Sequence, residues 1–91
     1  MGTKKVGYKR EKINKLPNNM PVRYDILNKS GNINYIGSAK KGRVRAEIAS
    51  KIGKIPGTSV RIHQRHLIRE AQKEEANAIK RNKPPYNKRG K

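Results

Sequence analysis

Residues 22–39 read Val22-Arg23-Tyr24-Asp25-Ile26-Leu27, then Asn28-Lys29-Ser30-Gly31-Asn32, then Ile33-Asn34-Tyr35-Ile36-Gly37-Ser38-Ala39. Val22, Tyr24 and Ile26 alternate with Arg23 and Asp25. Ile33, Tyr35 and Gly37 alternate with Asn34 and Ile36. This period of two marks strands, and the five polar or glycine residues between them make a hairpin loop. Alternate side chains of a strand share a face, so Tyr24 lies with Val22 and Ile26, Tyr35 lies with Ile33, and both phenols can point the same way. A pair of core tyrosines would give the same pattern.

C-terminal to the hairpin, Val44, Ile48 and Ile52 recur every four residues, which predicts a helix over 40–52 ended by Gly53. On its wheel Arg45 falls between Ile48 and Ala49, inside the apolar stripe, where it needs either an anion or a route for its head to reach water. Arg43 lies on the opposite, solvated side. Pro56-Gly57 marks a turn, and 59–64 alternates as a third strand, with Val60 and Ile62 facing one way and Arg61 and His63 the other. A second helix over about 66–81 stops before Pro84-Pro85, since a residue preceding proline is pushed out of the helical region. Its stripe is Leu67, Ile68, Ala71, Ala78 and Ile79. Glu75 lies in the middle of that stripe, whereas Glu70 and Glu74 face away. A buried carboxylate costs several kcal/mol unless it is protonated, paired with a cation such as Arg45, or bound to metal.

N-terminal to the hairpin, residues 1–19 carry Lys4, Lys5, Lys9, Arg10, Lys12 and Lys15 against a single Glu11, and end at Pro17-Asn18-Asn19. They read as a basic arm, mobile when free, with one or two helical turns around 9–16 and the folded core beginning at residue 20. Residues 88–91 read as a basic tail. Lys and Arg total 24 against six acidic residues, a net charge of +18, which points to a polyanionic partner, nucleic acid first. No long apolar face adjoins a basic one, so an acidic membrane surface is not the reading, and neither a secretory signal nor a membrane span is present. The 91 residues include no cysteine, Phe or Trp and only 32% apolar residues, so the core is thin, disulfides and thiol chemistry are excluded, and a reducing cytosol is the expected location.

The ordered set Tyr24, then Tyr35-Ile36-Gly37-Ser38-Ala39-Lys40, then Arg45, then Glu75, then Asn87 closing Pro84-Pro85-Tyr86-Asn87, resembles the GIY-YIG nuclease superfamily over about residues 21–87. Its closing stretch is similar to that of the UvrC-type catalytic domain, and the pattern as a whole also resembles homing-endonuclease domains. The resemblance implies an α/β sandwich, a small antiparallel sheet of three strands flanked by helices, with the catalytic groups on one sheet face between the two main helices. It implies hydrolysis of DNA phosphodiesters in one step by water, leaving 5′-phosphate and 3′-hydroxyl ends. Tyr24, supported by Tyr35, would take a proton from the attacking water or orient it; a phenol titrates near pH 10, so positive charge must draw it down. Which phenol acts stays open. Glu75 would bind one Mg²⁺ or Mn²⁺, Arg45 would stabilise phosphoryl charge, and Gly37 and Asn87 would shape the site. Lys40, Lys41 and Arg43, with the cations of the arm, would hold DNA by its phosphates, a surface that does not distinguish DNA from RNA.

Three positions depart from the family pattern. Val22-Arg23-Tyr24 stands where Gly-Ile-Tyr is usual, Ala49 stands where many members carry His or Tyr, and Ser38 replaces the UvrC-branch lysine. With few residues left for a separate DNA-binding domain, specificity would come from a homodimer, a partner protein or the substrate's shape, in the cytoplasm at the nucleoid. The alternatives are a nonenzymatic nucleic-acid binder, for instance a ribosome-associated basic protein, and a GIY-YIG-type domain turned docking module. Gly37-Ser38-Ala39-Lys40-Lys41-Gly42-Arg43 has P-loop-like glycines, but Arg43-Val44 replaces Lys followed by Ser/Thr, and His63 and His66 are too few for zinc.

Overall fold

In the computed structural model, which describes residues 3–87, the hairpin forms as its alternation implies. The elements in chain order are β1 (Thr3–Gly7), α1 (Arg10–Ile13), β2 (Val22–Leu27), β3 (Ile33–Ala39), α2 (Val44–Ala49), β4 (Ser59–Gln64) and α3 (Ile68–Asn82). Asn28 builds the hairpin loop: its Oδ1 accepts from the backbone N–H of both Ser30 and Asn32 at 2.9 Å, while Gly31 takes φ +88°, a value that a side chain disfavours. The register places Tyr24 opposite Gly37 and Ile26 opposite Tyr35. Leu27 then meets Ile33, so Asn34 is left over as a bulge, which turns Ile33 to the face opposite Tyr35 and not, as the alternation implied, to the same one. Its amide donates instead to the Pro56 carbonyl at 2.9 Å.

The sheet has four antiparallel strands in the order β1-β4-β2-β3, not three. The additional strand comes from the stretch read as a mobile arm: Thr3 to Gly7 pair with His63 to Ser59, and Val6 lies opposite Val60. The Tyr8 hydroxyl donates to the Ile55 carbonyl at 2.8 Å, and Ile13 and Leu16 are completely buried. The folded core therefore begins well before residue 20. Three isolated apolar side chains among many lysines have no periodicity to announce them; β1 is specified by the open edge of β4. Lys4, Lys5, Lys9, Arg10, Lys12 and Lys15 remain exposed. The tail at 88–91 lies outside the described residues.

Val22, Tyr24, Ile26, Val60 and Ile62 point to one face, where Ile13, Leu16, Val44 and Ile48 cover them. Each such burial contributes about 1.5–3 kcal/mol, which makes this layer the main source of cohesion in a small chain. The first main helix is shorter than 40–52. Gly42 at φ +83° breaks the chain just before it, Asn18 Oδ1 caps it by accepting from Val44 N–H at 2.9 Å, and turns replace it after Ala49. Helix α3 begins where Glu70 Oε1 accepts from the Leu67 N–H at 3.0 Å, and ends at Lys83, whose left-handed φ of 47° stops it ahead of Pro84. It packs on β3 and β2. No helix among the described residues is long and apolar enough to cross a membrane.

Candidate functional site

Strand β3 is an edge strand, and the candidate groups meet along it. Tyr24 extends from the neighbouring β2 with its ring lying over Gly37. A Cβ built on Gly37 would be 2.6 Å from Tyr24 Cζ and 2.6 Å from its oxygen, so the glycine is there for space alone. The Tyr24 and Tyr35 rings are 6.1 Å apart and tilted by 38°, on one face as their alternation implies. The buried Tyr24 hydroxyl donates to Glu47 Oε2 at 3.1 Å. Glu47 also pairs with Lys51 at 3.5 Å, and the Lys51 ammonium stands 5.2 Å from the centre of the Tyr35 ring.

Glu75 reaches β3 from α3. The Ser38 hydroxyl donates to its Oε1 at 2.7 Å, and among the described residues it has no ion pair. The bridge to Arg45 does not form. Glu74, one residue before, turns away as the helical pattern implies and takes Arg65 Nε at 2.6 Å and Nη2 at 2.7 Å. The Arg65 hydrogen bonds hold the Glu74 carboxyl below its usual range, against the opposing effect of burial. Asn87 substitutes for a missing strand neighbour: its Oδ1 accepts from Ile36 N–H at 2.7 Å and its Nδ2 donates to the Ile36 carbonyl at 2.9 Å, closing the edge beside the site.

Gathering on one sheet face does not occur. Ser38 lies opposite Arg23, on the face that α3 covers, while Tyr24 and Gly37 belong to the other. The two sets come together at the rim because β3 has no further strand outside it: Tyr24 reaches across Gly37, and Glu75 comes in beneath. Between α2 and α3 a cleft of about 410 Å³ opens there, lined by Ser38, Ala39, Lys40, Arg43, Glu47, Ile68 and Gln72.

Arg45 is not among that lining. It is exposed, and its Nε donates to the Leu16 carbonyl at 2.6 Å. Ile48 and Ala49, which flank it on the wheel, both lie within α2, and of the two outcomes that position allowed Arg45 takes the second: its head reaches solvent, anchored on the Leu16 carbonyl. Arg43, assigned to the solvated side, lines the cleft one turn before Glu47. Lys40 lines it too, and Lys41 is exposed. Glu47 was not singled out, although a signal existed: at about 100° per residue it falls only about 60° from Val44, at the edge of the buried stripe.

The electrostatics of Tyr24 are opposite to the expectation that cations draw its phenol down. Burial, the Glu47 carboxylate, the neighbouring Tyr35 phenol, the hydrogen bond to Glu47 and the Glu75 carboxylate all push its pKa up, well beyond the ordinary value of 10.0. Tyr24 is thus held neutral, as a donor to Glu47 with its oxygen lone pairs still able to accept. For a divalent cation, the available donors are hard oxygens: the Glu75 carboxylate, one oxygen of which the Ser38 hydroxyl fixes and which is not part of the cleft lining, and Glu47, which is. Among the described residues no three acidic or histidine side chains converge as a closed cage. This donor set suits Mg²⁺, which is commonly held by one or two carboxylates while substrate phosphates and water complete its shell. Compared with protein-family models, curated proteins and solved structures, the chain has no significant match.

Proposed function

We propose that this chain is a GIY-YIG-type endonuclease, hydrolysing DNA phosphodiester bonds at the rim of β3 with one divalent cation, Mg²⁺ or Mn²⁺, held by Glu75. The observation that carries the reading is the convergence of Tyr24, Tyr35, Glu75 and Asn87, widely spaced in sequence, on one strand that Gly37 leaves open. When bound, the cation would supply charge neutralisation at the scissile phosphate and the leaving oxygen. Arg43 and Lys40, facing the cleft, hold the non-bridging phosphate oxygens, a task that the resemblance had given to Arg45. Glu47, which lines the cleft, takes the proton of the attacking water, and the buried, neutral phenol of Tyr24 orients it by donating to its Oε2, so a free phenolate never forms. Lys51 keeps Glu47 oriented for that transfer. The new P–O bond forms as the bond to the 3′-oxygen breaks, and that oxygen takes up a proton from solvent, leaving 5′-phosphate and 3′-hydroxyl ends.

A plasmid-nicking assay with Mg²⁺ or Mn²⁺ against an EDTA control tests this reading. Glu75→Gln removes the charge and keeps the shape, so cleavage should fall by orders of magnitude while binding survives; Glu74→Gln, held at the surface by Arg65, should cut normally. Equal cleavage by Glu75→Gln and wild type would remove the metal assignment. One observation favours a second reading, a domain retained for docking on nucleic acid: the strongly raised pKa of Tyr24 makes it a poor base. Duplex binding with no nicking in either metal would select that reading.

A further inference from the structure

On the far side of the sheet from the Tyr24 core, α3 covers β3 and part of β2 and leaves β4 and β1 to present their own side chains. The register fixes which ones: Lys5 lies opposite Arg61, Thr3 and Arg23 lie opposite His63, and Asp25 lies opposite Arg61. Asp25 is completely buried beneath them. Its Oδ1 accepts from Arg23 Nε and Nη2 at 3.1 and 3.0 Å, its Oδ2 from Arg61 Nη2 at 3.1 Å, and His63 Nε2 lies 3.1 Å from the same Oδ2. One carboxylate thus braces two guanidiniums and an imidazole flat against the sheet. It can neutralise only one positive charge; Glu74 of α3, paired with Arg65, also acts on Arg23 and His63, and with these two carboxylates set against Arg23, Arg61, Arg65 and exposed Lys5 the face keeps a surplus. The remaining Nη1 groups of Arg23 and Arg61 have no hydrogen-bond partner among the described residues. Beside Arg61 a groove of about 420 Å³, flanked by Asn32 and Asn82, continues toward the C-terminal end of α3.

We infer that this sheet face is a second nucleic-acid surface, gripping a phosphate backbone through Lys5 and Arg61 on the side of the sheet away from the Tyr24 core. The occupant follows from charge: a second copy of a chain carrying +18 is repelled, and an apolar partner finds in the groove one half-buried apolar side chain, Ile33, among polar and charged ones. Guanidiniums held in place by a buried carboxylate have already lost the side-chain freedom that phosphate binding would otherwise cost. The surface serves the nuclease reading by anchoring a substrate while the cleft acts, and it is tested without cleavage.

The experiment follows binding of a short duplex in EDTA across a salt series, with amide shifts mapped by NMR during the titration. Each lost phosphate contact lowers the magnitude of the slope of log affinity against log salt by about 0.9, so Lys5→Gln should remove about that amount and Lys5→Gln with Arg61→Gln about twice it. Lys5 stands outside the Asp25 cluster, so the single variant remains informative if the double variant unfolds. Lys54→Gln, on the turn after α2, should leave the slope unchanged. The amides of Lys5 and Arg61 should shift on titration. The proposal falls if the Lys5→Gln slope equals wild type and shifts are confined to cleft residues such as Ser38, Arg43 and Gln72. It also falls if polyglutamate of matched charge displaces the duplex from this face as well as unlabelled duplex does, which would make the natural occupant an acidic protein. Because no step requires catalysis, a positive result survives an inactive cleft, and a negative one leaves the nicking assay unaffected.

Discussion

Replacing Gly37 with alanine adds one methyl group where the structure has room for none. The added carbon would stand 2.6 Å from Tyr24 Cζ, 2.6 Å from its hydroxyl oxygen and 2.9 Å from Cε2. Those atoms belong to a completely buried ring and cannot swing into solvent. Overpacking of this kind costs about 1–3 kcal/mol. Against it, replacing glycine where φ is compatible stabilises by about 0.4–1 kcal/mol through the unfolded chain. The clash prevails, leaving a net loss of about 1–2 kcal/mol, and at about 4–8 °C per kcal/mol for a domain of this size the melting temperature should drop by about 5–15 °C. Thermal and urea unfolding followed by circular dichroism provide the measurement. The decisive comparison is the same substitution in a Tyr24→Leu background, where the three opposing atoms are gone: there Gly37→Ala should become neutral or mildly stabilising, a coupling between neighbours that additive sites would not show. An equal cost in both backgrounds would refute the account of why this position is glycine.

Arg43→Ala should reduce cleavage at saturating DNA by at least tenfold and Arg45→Ala by much less, since only the first side chain lines the cleft; the reverse order in a nicking assay would restore the role to Arg45. Asn87→Ala deletes both hydrogen bonds to Ile36, so urea unfolding should show a loss of about 2 kcal/mol and the Ile36 amide should exchange faster with solvent; unaltered exchange would mean that the edge is closed otherwise. Burial alone would raise the pKa of Asp25, but hydrogen bonds from His63 and Arg61 and the charge of Arg23 outweigh it and hold the carboxyl below its ordinary 3.8. The folded state therefore binds this proton less readily than the unfolded chain, so the stability it contributes is complete above the unfolded value and is lost as pH falls through the folded one. Asp25→Asn should flatten the acid limb of stability against pH, and an unchanged limb would place the titration elsewhere.

The alternation of residues 22–39 and 59–64 determined β2, β3 and β4, and the spacing of Ile68, Ala71 and Ala78 determined which side of α3 turns inward, because period and burial are local properties written in adjacent residues; Leu67, read as part of that stripe, instead precedes the helix and is exposed. The same periodicities distinguished Glu75 from Glu74 and put the two phenols on one face. The helical turn within 9–16 was legible and is α1, but β1 was not: Val6 stands alone among lysines, and β1 exists because the edge of β4 offers unpaired backbone groups to a chain that happens to pass. The wheel left Arg45 two outcomes, an anion or a path to water, and only the tertiary structure chose the second, because the Leu16 carbonyl of the N-terminal segment lies where its Nε can reach. The partnership of Tyr24 with Glu47 and the sharing of Asp25 among Arg23, Arg61 and His63 belong to the tertiary structure alone. Charge pairs between strands and helices distant in sequence are fixed by register and by which edge lies open, and no spacing along one chain encodes either.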